Sequence, residues 1–194
     1  MITKLDLLNK NIQKCNKCDL HKLEYNVKDI KKGYGKLYGW KGDPDNNNIK
    51  FFFVGMNPSK NRFENIEYAF GGRKFDEGTG IEFVKILNDL DILKDSYVSN
   101  LVKCSNYDNT ISKSHIYDCS RHIIKEIELV KPQKIITMGK QVKDEFNYLL
   151  TFEFQDLYKK YRKNLFDIWH PNYVISYKRD RLQEYIDTIK EICQ

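Results

Sequence analysis

Apolar and polar residues follow one another in this chain with periods that change from block to block. Near the start, Leu5, Leu8 and Ile12 recur at helical spacing behind Thr3, a residue suited to an N-cap, and predict a helix over residues 3–14. From residue 49 the pattern becomes regular. Residues 49–54 form a continuous apolar run, which suits a parallel strand buried on both faces. A helix over 80–93 follows, with Ile81, Val84, Leu87 and Leu90 on one side. Residues 97–102 read as a second strand and 112–130 as a long helix, started by Ser112, Ser114 or Asp108 and stopped by Pro132. A third strand spans 134–138, and Gly139 leads into a helix to about residue 150. A fourth strand over 165–169 and a closing helix over 179–192 complete the pattern. Strands alternating with helices of this length imply βαβ crossovers. The predicted fold is α/β, a three-layer αβα sandwich around a mainly parallel four-stranded sheet. It is expected to form one domain over residues 1–194, with an N-terminal part (1–48) and an α/β core (49–194).

Composition narrows the class. The 194 residues suffice for a domain with its own core, and 41% hydrophobic with 13% aromatic residues excludes a disordered tail. Lys and Arg number 33 against 27 Asp and Glu, a formal charge of +6 that favours a polyanionic partner. Apolar runs such as Phe51-Phe52-Phe53-Val54 stop far short of a membrane span, so no membrane is expected. Asp6 stands where a secretory leader needs apolar residues, and the expected location is the cytoplasm. The loop 43–48, rich in Asp and Asn, is the one biased stretch.

The five cysteines are Cys15, Cys18, Cys104, Cys119 and Cys193. In a reducing compartment disulfides are not expected, and a CxxC pair points to metal or redox chemistry. Cys15 and Cys18 lie in a polar segment without the strand and helix that frame a thioredoxin-type pair. Cys104 and Cys119 are separated by 14 residues, wider than the second knuckle of a zinc ribbon. Four thiolates can hold either a zinc ion or an iron–sulfur cluster, and the spacing leaves both open. Cys193 is assigned no role.

In doubly wound sheets the ligand lies beyond the carboxyl ends of the strands. After the first strand comes Gly55-Met56-Asn57-Pro58-Ser59, a tight turn that presents Asn57. After the second comes Asn100-Leu101-Val102-Lys103-Cys104, after the third Gly139-Lys140, and after the fourth Trp169-His170-Pro171. Two amides, an imidazole and glycine turns meet at one edge. No Ser–His–Asp grouping, paired carboxylates or GxxxxGK[ST] loop accompanies them, which argues against ester hydrolysis, two-carboxylate glycosidase chemistry and nucleotide hydrolysis.

Taken together, these blocks resemble the uracil-DNA glycosylase superfamily, and most closely its iron–sulfur group, family 4. The resemblance rests on the CxxC at 15–18, the turn at 55–59, the block NLVKC at 100–104 and Cys119 in a long helix. Pro132, Gly139 and His170-Pro171 extend it along nearly the whole chain. It implies that Cys15, Cys18, Cys104 and Cys119 ligate a structural 4Fe–4S cluster. Two departures stand out. Met56 replaces the usual glutamate of the first motif, so that Gly55-Met56-Asn57-Pro58 looks like the mismatch-specific and single-strand-selective uracil glycosylases. Ser105-Asn106-Tyr107 replaces the Arg-Pro-Pro that commonly follows the Lys-Cys.

The resemblance implies a monofunctional glycosylase, acting as a monomer on single- or double-stranded DNA. Such an enzyme flips a uracil or modified pyrimidine out of the stack and hydrolyses its N-glycosidic bond. His170 would stabilise the departing base anion, and Asn57, as an amide, would orient the attacking water instead of deprotonating it. Asn100 would read the base edge, within a pocket formed with Gly55 and Met56. Phe75 matches the spacing of the family's stacking phenylalanine, with Phe70 its competitor. Ser59, Lys140, Tyr173, Lys178 and Arg179 are candidate DNA contacts, as is the Lys-rich stretch 28–36. Two further readings stay open: removal of hypermodified pyrimidines from phage DNA, and a catalytically weak DNA-binding sensor.

Overall fold

The computed structural model describes residues 3–22, 39–58, 79–104 and 110–194. Among these, seven α-helices and five strands follow in chain order. They are α1 (Lys4–Gln13), β1 (Trp40–Lys41), β2 (Phe51–Gly55), α2 (Thr79–Asp89), β3 (Ser96–Asn100) and α3 (Lys113–Val130). Then come β4 (Lys134–Met138), α4 (Lys140–Phe152), α5 (Gln155–Tyr161), β5 (Leu165–Ile168), α6 (Pro171–Tyr177) and α7 (Leu182–Cys193). The doubly wound α/β architecture expected from the sequence is what the chain adopts, but its sheet has five strands, in the order β1-β3-β2-β4-β5. The four expected strands are mutually parallel. The fifth is the two-residue edge strand β1, which pairs antiparallel with β3 at Trp40 and Val98.

Alternation along β2 divides the interior into two cores. Phe52 and Val54 join the core under α3, α4 and α5, which includes Ile116, Ile123, Ile127, Phe146 and Tyr161. Phe51 and Phe53 face the other way, into a core with Phe83, Ile136, Val174, Tyr185 and Ile189 from α2, β4, α6 and α7. Every residue of β2 is buried, as its unbroken apolar run requires of a central parallel strand. On the outer layer, Leu8 and Ile12 of α1 pack against Leu129 of α3.

Local chemistry sets the ends. Thr3 caps α1 in a reciprocal box with Asp6, and Ser112, one of three expected candidates, caps α3 with His115 closing the box. Lys131 in the left-handed region ends α3 ahead of Pro132. The helix expected to reach residue 93 stops at Asp89, because Asp91 turns left-handed (φ 56°) and residues 93–95 form a 3₁₀ turn. The closing helix likewise begins at Leu182, after a 3₁₀ turn over Arg179–Arg181. No helix among the described residues is long and apolar enough to cross a membrane.

Candidate active site and cysteine cluster

The parallel strands run in the order β3-β2-β4-β5, so β2 enters the sheet first and later strands are added on both sides. The crevice between β2 and β4 is therefore the switch point where such sheets bind ligands. Asn57 follows β2 there, and Gly139 with Lys140 follows β4. Asn100 ends β3 on one flank, and His170 follows β5 on the other. With strands about 4.8 Å apart, these four positions lie in a row spanning about 15 Å along one sheet edge.

Backbone bonds tie the row together. Gly55 pairs in register with Asn100. Beyond the strands, Leu101 N–H donates to the Gly55 carbonyl and Val102 N–H to the Met56 carbonyl, both at 2.8 Å. The first-strand turn and the Asn100 block thus form one clamp. Asn100 is 2% exposed, and its Oδ1 has no hydrogen-bond partner among the described residues. An unmatched buried acceptor at the edge of a cleft suits a ligand that brings its own donor. Asn57 is half-buried, and its Nδ2 donates to the Pro58 carbonyl at 3.0 Å, which leaves the side-chain oxygen as the group suited to a water. Met56 packs against the core of the α3 face, an apolar side chain where an acid would offer a general base.

On the other flank, Gly139 has φ +100°, a conformation that favours glycine. A Cβ placed on it would come within 3.3 Å of the His170 Cβ. Gly139 N–H also donates to the Ile168 carbonyl at 2.8 Å, so the β4 and β5 ends are locked together. His170 is the N-cap of α6: its Nδ1 accepts from the Asn172 N–H at 3.1 Å. With Nδ1 as acceptor, the ring proton sits on Nε2, and that nitrogen becomes a donor. Burial holds the His170 pKa below its ordinary value and favours this neutral form.

Helix α6 and the turn after it carry three of the expected DNA contacts. Tyr173 is 46% exposed and meets Trp169 edge-to-face, with ring centroids 6.3 Å apart. Lys178 is exposed at the C-cap. Arg179 pairs with Glu82 at 3.5 Å, and Arg181 stacks over Trp169 with its Cζ 4.7 Å from the ring centroid. Tyr177, 73% exposed, adds a second aromatic to this surface. Lys140 opens α4 and is exposed. Ser59, Phe75, Phe70 and the stretch 28–36 lie outside the described residues.

The four expected cysteines come together from three segments. Cys15 and Cys18 follow α1, Cys104 follows β3, and Cys119 lies in the second turn of α3. All four line one small cavity, with Ile12, Lys103 and His122 among its other walls. His115 of α3 meets Asp19 at 2.7 Å and holds the CxxC segment against the helix. Lys103 N–H donates to the Cys119 Sγ at 3.2 Å, and a backbone N–H of Leu20 reaches Cys18. Amide donors on sulfur are the outer shell that thiolate ligands of a cluster need. Burial pushes the Cys119 thiol up to about 11, against the pull of Lys103. It also raises that of Cys18, helped by Cys15 and Asp118. Four thiols on one cavity, two of them with amide donors, are the chemistry a thiolate-held group needs, and bound metal would offset this cost. Among the described residues, no three such side chains stand at metal-holding distance. No disulfide joins any of the five cysteines.

A family model of the uracil DNA glycosylase superfamily matches residues 43–192. The chain belongs to this superfamily. Its relatives include a type-4 uracil-DNA glycosylase of Saccharolobus solfataricus, 30% identical over 139 residues. That match takes in 70% of this chain and 56% of the relative, so the chain spans little more than half of that protein's length. A type-4 uracil-DNA glycosylase of Archaeoglobus fulgidus is 24% identical over 97% of this chain and 91% of its own. A solved structure, wild-type Pedobacter heparinus SMUG2, shares 14% identity over 95% of each chain with a TM-score of 0.49.

Two features of this superfamily member had escaped sequence reasoning. One is α6 with His170 as its cap. The other is the buried ion pair of Lys103 and Glu126, at 2.6 Å. Its signal was present in the chain: Lys103 interrupts an apolar strand end, and Glu126 falls on the apolar stripe of α3 between Ile123 and Val130.

Proposed function

We propose that the chain is a monofunctional DNA glycosylase that excises uracil and leaves an abasic site. The observation that carries this reading is the row Asn100, Asn57, Gly139 and His170 along the switch-point edge, with the His170 proton held on Nε2 by the Asn172 amide.

Hydrolysis breaks the bond between C1′ and the base nitrogen, and the bonding pair leaves with the base. Positive charge builds on the sugar and negative charge on the base, so catalysis consists mainly of placed dipoles. The Nε2–H of His170 donates to a base carbonyl oxygen and stabilises the leaving anion. The Asn57 side-chain oxygen holds a water for attack at C1′. An amide takes up no proton near neutrality, so the proton that water sheds passes to the departing anion, restoring a neutral base. Asn100 pairs with the base edge through its buried amide, whose Oδ1 suits the N3–H of uracil. Tyr173, Lys178 and Arg179 support the strand from which the base is drawn. Cys15, Cys18, Cys104 and Cys119 hold a 4Fe–4S cluster, whose part is to cross-link the α1 segment, the β3 end and α3.

Met56, packed into the core beside Asn57, favours a second substrate class, since no carboxylate restricts the first motif to the family pattern. A modified pyrimidine is that class. Incubation with DNA bearing uracil or hydroxymethylated cytosine, followed by alkaline cleavage, separates the two: strand breaks at uracil support the first reading, and breaks only at the modified base support the second.

A further inference from the structure

The reaction above does not use the most deeply buried charges of the described chain. Lys103 is 1% exposed and Glu126 is fully buried. All three ammonium protons of Lys103 are engaged, by Glu126 Oε2 (2.6 Å), Ser99 Oγ (2.7 Å) and the main-chain carbonyl of Asn100 (2.7 Å). Glu126 in turn accepts from Ser99 Oγ at 2.7 Å, from Gly39 N–H at 3.3 Å and from the Tyr97 hydroxyl. The network is closed on itself, yet one of its bonds leaves it and grips the residue at the mouth of the site.

We infer that Lys103, held by Glu126, is a positioning residue that aims Asn100 at the flipped base; this rests on the glycosylase reading. The Oδ1 of Asn100 has no partner among the described residues, so nothing bound to that atom sets its direction. Its carbonyl, by contrast, is clamped by a charged donor three residues on, which closes the turn 100–103. Leu101 and Val102, inside that turn, are bonded to Gly55 and Met56. Clamping the carbonyl fixes the Cα–Cβ direction and so the reach of the amide. A buried ion pair gives a fold little net stability over apolar residues of the same size, and its better use is to specify one arrangement. The amide of Lys103 lies on the Cys119 sulfur, so the same residue also spans the cysteine cavity and the base-reading strand end.

The test is a double-mutant cycle on the metal-loaded protein. Lys103→Met alone would strand the Glu126 carboxylate in the interior and is expected to unfold the chain. The pair Lys103→Met/Glu126→Gln removes both buried charges and the grip on Asn100. The Gln oxygen still accepts from Gly39 N–H, while its amide donates to a turned Ser99 hydroxyl. Two readouts are taken, single-turnover base release and the binding preference for uracil-DNA over thymine-DNA. The paired variant should keep the visible absorption of the cluster and a Tm within a few degrees of the parent. Both readouts should fall about tenfold, the value of one ordinary hydrogen bond. In an Asn100→Ala background the pair should cost nothing further. Losses that multiply in that background, or no loss in the parent, would overturn the inference. A parent that prefers uracil-DNA but releases no base overturns the glycosylase reading instead, and the binding cycle still decides the role of Lys103.

Discussion

At the scale of single residues, His170 caps α6 through Nδ1, and in the proposed reaction its Nε2–H donates to the base, so replacement by alanine confounds a lost cap with a lost donor. Serine retains an acceptor at the cap but cannot reach the base. His170→Ser is therefore expected to keep the Tm of the parent and lower base release by about 10²–10³-fold, the usual cost of one such donor. The pH profile follows from the same geometry. Protonating the ring places a hydrogen on Nδ1 and breaks the bond from Asn172. Because burial holds the pKa below 6.5, the neutral ring adds stability above that unfolded value, and the contribution is lost as pH falls toward the folded value. Base release should stay level through pH 6.5 and decline only at more acid pH, a limb that His170→Ser abolishes. Elsewhere, Tyr185 is 1% exposed in the core of the α7 face, and its hydroxyl has no hydrogen-bond partner among the described residues. Tyr185→Phe is expected to hold or raise the Tm. A fall of several degrees in a thermal melt would show that the hydroxyl is satisfied.

At the scale of elements, the site depends on how strand ends meet the turns that follow. Gly139 joins β4 to α4 in a conformation other residues rarely adopt, with the His170 Cβ directly beside it. Gly139→Ala combines backbone strain of about 1–3 kcal/mol with a push on His170. Its Tm should fall, and its base release should fall further than a stability loss alone explains, as rates below the melting range would reveal. These elements were unequally legible in the chain. The run 49–54 marked a strand buried on both faces, and Asn57, Asn100, Gly139 and His170 could be assigned to strand ends because each follows a strongly apolar segment. Helices α5 and α6 were missed, since seven residues contain under two turns and show too little of a 3.6-residue period. The segment after His170 read instead as a set of candidate DNA contacts, Tyr173, Lys178 and Arg179. The edge strand β1 was invisible for a similar reason, because two residues have no alternation to detect. Lys103 and Glu126 violate the hydrophobic pattern, and only the folded arrangement shows that each answers the other.

At the scale of the whole molecule, the four cysteines bring the N-terminal segment and the core to one cavity. Leu8 and Ile12 of α1 with Leu129 of α3 form a small cluster apart from the two main cores. A thiolate-held cluster would add a second tie beside it, between the segment after α1 and the β3 end. Stripping the metal with a chelator is expected to lower the Tm and expose residues 3–22 to proteolysis, while the sheet retains its far-UV dichroism. Cys104→Ser or Cys119→Ser should abolish the visible absorption and reproduce that pattern. The surplus of positive charge gives a second property at this scale. DNA binding should weaken steeply with salt, and Lys178→Ala should reduce the slope of log affinity against log salt by about one.

The most direct measurement is base release by anaerobically purified protein from matched DNAs carrying uracil or thymine at one position. Alkali-labile breaks at uracil and none at thymine are expected from the parent, with the signal reduced at least about 100-fold in folded His170→Ser. No breaks in either DNA, or breaks that persist undiminished in His170→Ser, would contradict a glycosylase working through this edge of the sheet.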